Sequence, residues 1–170
     1  MTRKLPISPD VSYMLGIYRC NNRYRNLYLE TTSAELMERF VKIAIMELDT
    51  KIESVIITKE GDLTTAEINN SKLKKLLDNA LKERERIFKY KNEYSGSYFA
   101  ALFDCNGSVD RRGAFVTHVD AYDKILLERI GFHTATNSGR CYIKKSMDFI
   151  MFIAPFSIRA KIINRLQWKR

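Results

Sequence analysis

Residues that mark metal centres, disulfide scaffolds and flexible joints are scarce here: 170 residues include 2 His, 3 Cys, 3 Pro and 7 Gly. Neither His118 nor His133 has a Cys or His neighbour at zinc-ligand spacing, so no metal is expected from these side chains. An odd number of widely spaced cysteines excludes a disulfide framework and suits reduced thiols in a cytoplasmic setting. Cys20 and Cys105 read as small packing residues rather than nucleophiles. No glycine-rich phosphate loop or nucleophile elbow occurs. The longest apolar run, Phe149 to Phe156, has eight residues and contains Pro155. A bilayer span needs about 20, and the amino terminus lacks the apolar core of a signal peptide, so no membrane is expected as a partner.

What is present is an ordinary globular composition with an uneven charge. Apolar residues make up 45% and charged residues 29%, which opposes disorder. A chain of this length buries roughly 70% of the surface it exposes unfolded and needs no covalent staple. The net charge is +9. Residues 1–85 hold 14 basic and 13 acidic side chains, whereas residues 86–170 hold 15 and 7. Eight of the nine excess positives thus lie in the second half, and a basic surface invites a polyanion.

Caps and periodicities predict two similar series of elements. Ser8 and Pro9 open a helix running to Cys20, and Leu27 and Leu29 alternate with polar residues as in a strand. Thr32-x-x-Glu35 reads as a capping box for a helix with Leu36, Phe40, Ile43, Ala44 and Leu48 on its apolar face. A hairpin turning at Gly61-Asp62 follows, then a helix from Ser71 to about Tyr90. The series restarts with a helix from Tyr98 to Cys105, capped by Ser95 or Ser97 and terminated by a left-handed Gly107. A turn at Arg111-Arg112-Gly113, a strand from Ala114 to Val119, and a helix capped by Asp120 come next. A turn at Asn137-Ser138-Gly139 leads into Arg140–Lys145, and helices over Met147–Ile153 and Arg159–Trp168 close the chain. The order helix, two strands, helix, two strands, helix therefore occurs twice. The halves are placed at 1–92 and 93–170 of one compact unit, because only Lys91 to Tyr94 lies between them.

The opening helices superimpose in sequence. Tyr13-Met-Leu-Gly-Ile-Tyr-Arg-Cys-Asn-Asn22 aligns with Tyr98-Phe-Ala-Ala-Leu-Phe-Asp-Cys-Asn-Gly107 without a gap, at an offset of 85 residues. Gly16 with Cys20, and Ala101 with Cys105, place small residues four apart on one face, a spacing that lets two helix backbones approach. The segment Phe99–Gly107 resembles the nine-residue signature of the LAGLIDADG homing endonucleases, and Met14–Asn22 resembles a degenerate copy of it. The resemblance covers nearly the whole chain. It implies an α+β fold: a pseudo-twofold duplication of αββαββα in a monomer, with two antiparallel sheets forming a saddle over double-stranded DNA.

The resemblance also implies a mechanism, in which one acid at the end of each signature helix holds Mg²⁺ and both strands are cut. Here those positions are Asn21 and Asn106. Two amides supply no charge to hold a hard cation against water, so the nuclease is expected to be silent and no cofactor is expected. Mg²⁺ would be required only if the chain cuts. Asp104, roughly 200° around the helix from Asn106, is expected to point elsewhere. The same change at both positions fits a natural loss or a deliberate inactivation of a site-specific intron-homing endonuclease, and both stay open. So does an RNA-binding maturase acting on structured intron RNA.

Aligning the caps Thr32 and Asp120 pairs Leu27 with Phe115 and Leu29 with Thr117, facing these inward. The outer, DNA-facing set is then Tyr24, Asn26 and Tyr28 in the first half and Val116 and His118 in the second. Arg140, Tyr142 and Lys144 form a basic and aromatic stripe, and Arg111 and Arg112 sit at a turn tip.

Overall fold

The computed structural model describes residues 4–21 and 26–167. The first helix forms as read: the Ser8 hydroxyl accepts the Val11 N–H at 3.1 Å, and α1 runs Pro9–Cys20. It is followed by β1 (Leu27–Thr31), α2 (Ala34–Met46), the hairpin of β2 (Val55–Glu60) and β3 (Leu63–Ile68), α3 (Ser71–Lys82) and a short α4 (Arg84–Ile87). The second half comprises α5 (Glu93–Asn106), β4 (Gly107–Asp110), β5 (Gly113–Thr117), α6 (Ala121–Arg129), β6 (Thr134–Asn137), β7 (Arg140–Ile143) and α7 (Ser146–Ile153), with α8 (Ile158–Gln167) appended. Strand pairing repeats with the element order. The first sheet runs β1-β3-β2 and the second β4-β5-β7-β6, all antiparallel, so β5, β7 and β6 reproduce β1, β3 and β2. At the 85-residue offset, the counterpart of β4 falls on 22–25, outside the described residues.

Several local expectations are corrected by side-chain chemistry. Ser33, not Thr32, caps α2 by accepting the Leu36 N–H, while the Thr31 hydroxyl accepts the Ser33 N–H. Asn70, not Ser71, caps α3, and that helix breaks at Glu83 instead of running to Tyr90. Asn92 caps α5 in a reciprocal box with Ser95, one turn earlier than either serine would have allowed. Gly107 is extended (φ −99°), not left-handed. Its missing side chain instead admits Phe103, whose ring would lie 2.3 Å from a Cβ there. The strand β6 supplies the arm before the turn at Asn137-Ser138-Gly139, although Thr134-Ala-Thr-Asn137 itself carries little apolar alternation.

The two signature helices are the centre of the molecule. Val11 through Tyr18 and Ser95 through Asp104 are buried on all faces, as helices enclosed by other elements must be. They touch at Gly16, where a Cβ would stand 2.5 Å from both the Ala101 Cβ and the Tyr98 carbonyl oxygen. Only a glycine permits that approach. Around the pair lie Phe40, Leu77, Phe88, Leu126 and Phe149, all essentially inaccessible. A fully buried side chain of this kind contributes about 1.5–3 kcal/mol, so the shared core binds the two halves into one body. Among the described residues no helix is long and apolar enough to cross a membrane.

Candidate nucleic-acid interface

The ends of α1 and α5 carry the two amides. Asn21 closes α1: its N–H reaches the Ile17 and Tyr18 carbonyls, and its Nδ2 donates to the Ile17 oxygen at 2.9 Å. The side-chain amide nitrogen is thereby spent on the helix end. Asn106 ends α5, and its carbonyl accepts the Thr117 hydroxyl at 3.3 Å. One residue earlier, Cys20 and Cys105 meet across the helix pair as free, half-buried thiols. Their mutual hydrogen bond, together with burial, pushes the Cys20 thiol well above its ordinary value, which removes it as a nucleophile.

Asp104, the acid of the second signature, turns away from this end. Its Oδ1 accepts the Ser157 hydroxyl at 2.5 Å and the Arg159 N–H at 3.0 Å. Oδ2 accepts the Tyr13 hydroxyl at 2.5 Å and the Ile158 N–H at 2.9 Å. A buried carboxylate thus caps the amino terminus of α8, where the helix dipole favours negative charge. Arg19, its counterpart in α1, does the reverse with the same purpose. It pairs with Asp120 at 3.1 Å and Asp123 at 3.2 Å, the carboxylates at the start of α6. Arg84 joins the same two acids, and Tyr98 donates to Asp123 at 2.7 Å. Burial raises the Asp123 carboxyl above the usual range in spite of both arginines.

The sheet faces differ from the expected pattern in one respect. Val116 lies in the core, 3% exposed, with Ala114, whereas Phe115 faces the opposite way and is covered there by Arg140 and Tyr142, leaving 8% exposed. The cause is the misplaced cap. Matching Ser33 with Asp120 pairs Leu29 with Val116 and Tyr28 with Phe115, so aromatic residues face outward in both halves. His118 lies beyond β5 with a left-handed backbone (φ 57°), exposed, its carbonyl 3.4 Å from Arg19 Nη2. It belongs to the α6 cap region, not to a sheet face. Tyr24 lies outside the described residues.

Asn26 and Tyr28 do face outward. Asn26 donates to Glu67, and the Tyr28 hydroxyl donates to Glu30 at 2.8 Å. Arg111 and Arg112 are exposed at the β4–β5 turn. In β7, Cys141 and Ile143 are buried, and the register sets Arg140 opposite Thr117 and Tyr142 opposite Phe115. Arg140, Tyr142 and Lys144 therefore share a face with Phe115, Ala135 and Asn137. Asp110 also stands on this face, a residue without any sequence signal. It accepts the Tyr142 hydroxyl at 2.8 Å, the Arg112 N–H at 2.8 Å and Arg140 Nη1 at 3.0 Å. The Tyr142 bond, then the Arg112 N–H and the Arg140 charge, hold its carboxyl below the ordinary range.

No family model matches the chain, and no curated protein matches it in sequence. Solved structures match its shape. A mesophilic variant of the homing endonuclease I-DmoI aligns with a TM-score of 0.65 over 85% of this chain and 94% of that one, at 13% identity. The complex of I-DmoI with DNA and Ca gives 0.64 over 92% and 97%, at 14% identity. Full-length DUF199/WhiA from Thermatoga maritima gives 0.60 over 97% of this chain and 62% of that one, at 15% identity. The described residues form two antiparallel sheets, of three and four strands, around a central helix pair. This chain has the duplicated α+β fold of the LAGLIDADG homing endonuclease I-DmoI.

Proposed function

We propose that this chain is a monomeric double-stranded-DNA-binding protein of LAGLIDADG shape that does not cut its target. The amides at the ends of both central helices carry the reading. A hard divalent cation needs anionic oxygens, and Asn21 and Asn106 supply neutral ones. The Asn21 amide nitrogen is committed to the Ile17 carbonyl, so only its neutral oxygen is left to meet a cation. Among the described residues no three His, Cys, Asp or Glu side chains converge on a point that could hold a metal. The residues present do not fit the cation that the fold's nucleases use. Support for DNA comes from the +9 charge and the outward Arg111, Arg112, Arg140, Tyr142 and Lys144, with Asn26 and Tyr28 on the other sheet. Solved complexes of I-DmoI with DNA, in the presence of Mn or Ca, share this fold.

The test is binding to a duplex pool across 50–200 mM salt, with and without Mg²⁺ or Mn²⁺. A logarithmic affinity that falls steeply with salt, and intact duplex on a denaturing gel, are the expected results. Site-specific cleavage by the unaltered chain overturns the reading. Cleavage gained by Asn21→Asp with Asn106→Asp identifies the amides as the cause of silence. Tighter binding to structured intron RNA than to duplex makes it an RNA-binding maturase instead.

A further inference from the structure

The outer face of the second sheet holds an arginine in an unusual setting for a phosphate contact. Side chains that grip phosphates are normally free, hydrated cations, because their work is charge neutralisation. Arg140 is not free. Its Nη1 is held by Asp110 at 3.0 Å, and its guanidinium carbon lies 4.5 Å above the centre of the Phe115 ring. Tyr142 braces the same Asp110 oxygen and packs against Phe115, with ring centres 5.4 Å apart. The Arg112 N–H fixes the other oxygen at 2.8 Å. The guanidinium is therefore set in one plane before any ligand arrives, and 47% of the side chain stays exposed. Among the described residues Nη2 and Nε have no hydrogen-bond partner.

Two physical consequences follow from that arrangement. A phosphate brought to Arg140 would also approach the Asp110 carboxylate, which offsets the Arg140 charge at the very point of contact. A base edge is neutral and meets no such repulsion. A planar fork with two free donors matches guanine O6 and N7, the acceptor pair that arginine reads in the major groove. The cleft of about 350 Å³ around it, lined by Asp110, Arg112, Asn137, Ser138, Arg140 and Tyr142, is polar and open. We propose that Arg140, buttressed by Asp110 and Tyr142 and seated on Phe115, reads one guanine and so determines sequence choice in the second half-site. The inference rests on the duplex-binding reading above and adds to it a base and a residue.

The experiment selects from a random-sequence duplex pool with the full chain and with three variants, Arg140→Ala, Arg140→Lys and Asp110→Asn. The unaltered chain enriches a motif containing a fixed G·C pair. Arg140→Ala loses preference at that pair alone, with discrimination there falling about 10- to 100-fold, while the other positions and the salt slope are kept. Arg140→Lys behaves like the alanine variant, because a point charge cannot replace the fork. Asp110→Asn binds all sequences more tightly and discriminates less at the same pair. A uniform loss across sequences in Arg140→Ala, with a salt slope lower by about one, makes Arg140 a phosphate contact and overturns the inference. Unchanged preference in Arg140→Ala, or no enriched motif at all in a chain that still binds, overturns it as well. Absence of any salt-dependent duplex binding by the unaltered chain removes the proposed function itself, a result distinct from all of these.

Discussion

Replacing Asp104 by Asn tests whether this acid is structural or belongs to the DNA-facing end. The carboxylate receives four donors, a hydroxyl and a backbone N–H on each oxygen. An asparagine has one oxygen, so whichever side becomes the NH₂ group faces two former donors. The hydroxyl on that side, from Tyr13 or Ser157, can rotate and accept. The backbone N–H of Ile158 or Arg159 cannot, and it stays buried without an acceptor. Losing a charge-assisted hydrogen bond costs about 1.5–3 kcal/mol, and stranding a buried donor costs about 1–3 kcal/mol. The carboxylate's favourable position at the amino terminus of α8 goes too. A loss of about 3 kcal/mol is expected, a large share of the roughly 5–15 kcal/mol that holds a typical domain together. Urea unfolding followed by circular dichroism reads it directly: with a slope of about 2 kcal/mol/M, the midpoint drops by about 1.5 M and the slope stays the same. Ser157→Ala removes both the donor to Asp104 and the acceptor of the Ala160 N–H in the first turn of α8, and it too lowers the midpoint. An Asp104→Asn protein of unaltered stability and altered DNA affinity would refute this assignment and turn the side chain toward the duplex.

Gly16→Ala gains about 0.8–1 kcal/mol of helix propensity but places a Cβ 2.5 Å from Ala101 Cβ and from the Tyr98 carbonyl oxygen. A net destabilisation of about 1–2 kcal/mol is expected by chemical denaturation, and Ala101→Gly restores only part because the carbonyl remains; net stabilisation would mean that the helices are not in contact here. Val116→Asp buries an unpaired charge and costs about 3 kcal/mol or more, whereas Phe115→Asp, at a ring covered by Arg140 and Tyr142 on the other side of the sheet, sets its carboxylate beside the Arg140 guanidinium and costs less. Thermal melting of the two variants ranks them, and the opposite order would restore the inverted strand face. Alkaline titration supplies a third check. Burial raises the hydroxyls of Tyr13 and Tyr98 far above their ordinary value, and burial with the Asp78 hydrogen bond raises Tyr18 to about 12. These groups ionise near 10 once unfolded, so their stabilisation is complete below pH 10 and is lost as pH climbs through the folded values. Absorbance at the phenolate band should show the exposed tyrosines titrating first, with the buried set appearing only together with loss of helix; early, complete titration of all nine tyrosines in a folded chain contradicts the burial.

Much of this molecule is legible along the chain because it depends on near neighbours. The duplication shows in an ungapped match of helices 85 residues apart, since each half repeats one folding problem. The caps at Ser8 and Asp120, the apolar face of α2 and the hairpin at Gly61-Asp62 follow from hydrogen bonds that span three or four residues. The two asparagines and the excess of positive charge are matters of composition, and no folding is needed to see them. Other features were beyond reach for a stated reason. The run Ala114-Phe115-Val116 is apolar in both phases of a strand, so a cap displaced by one residue inverted the face, and only pairing with β7 decided it. That Asp104 points away from Asn106 follows from helix geometry, but its partners do not, because they come from a helix start more than 50 residues later. Asp110 meets Arg140 across 30 positions, where no periodicity connects them. The sequence by itself determined which elements form and which acids are missing, because those are local matters of capping, spacing and charge. The tertiary structure alone decided where each polar side chain spends its hydrogen bonds, because a buried donor or acceptor is settled by whatever the fold brings within 3 Å of it.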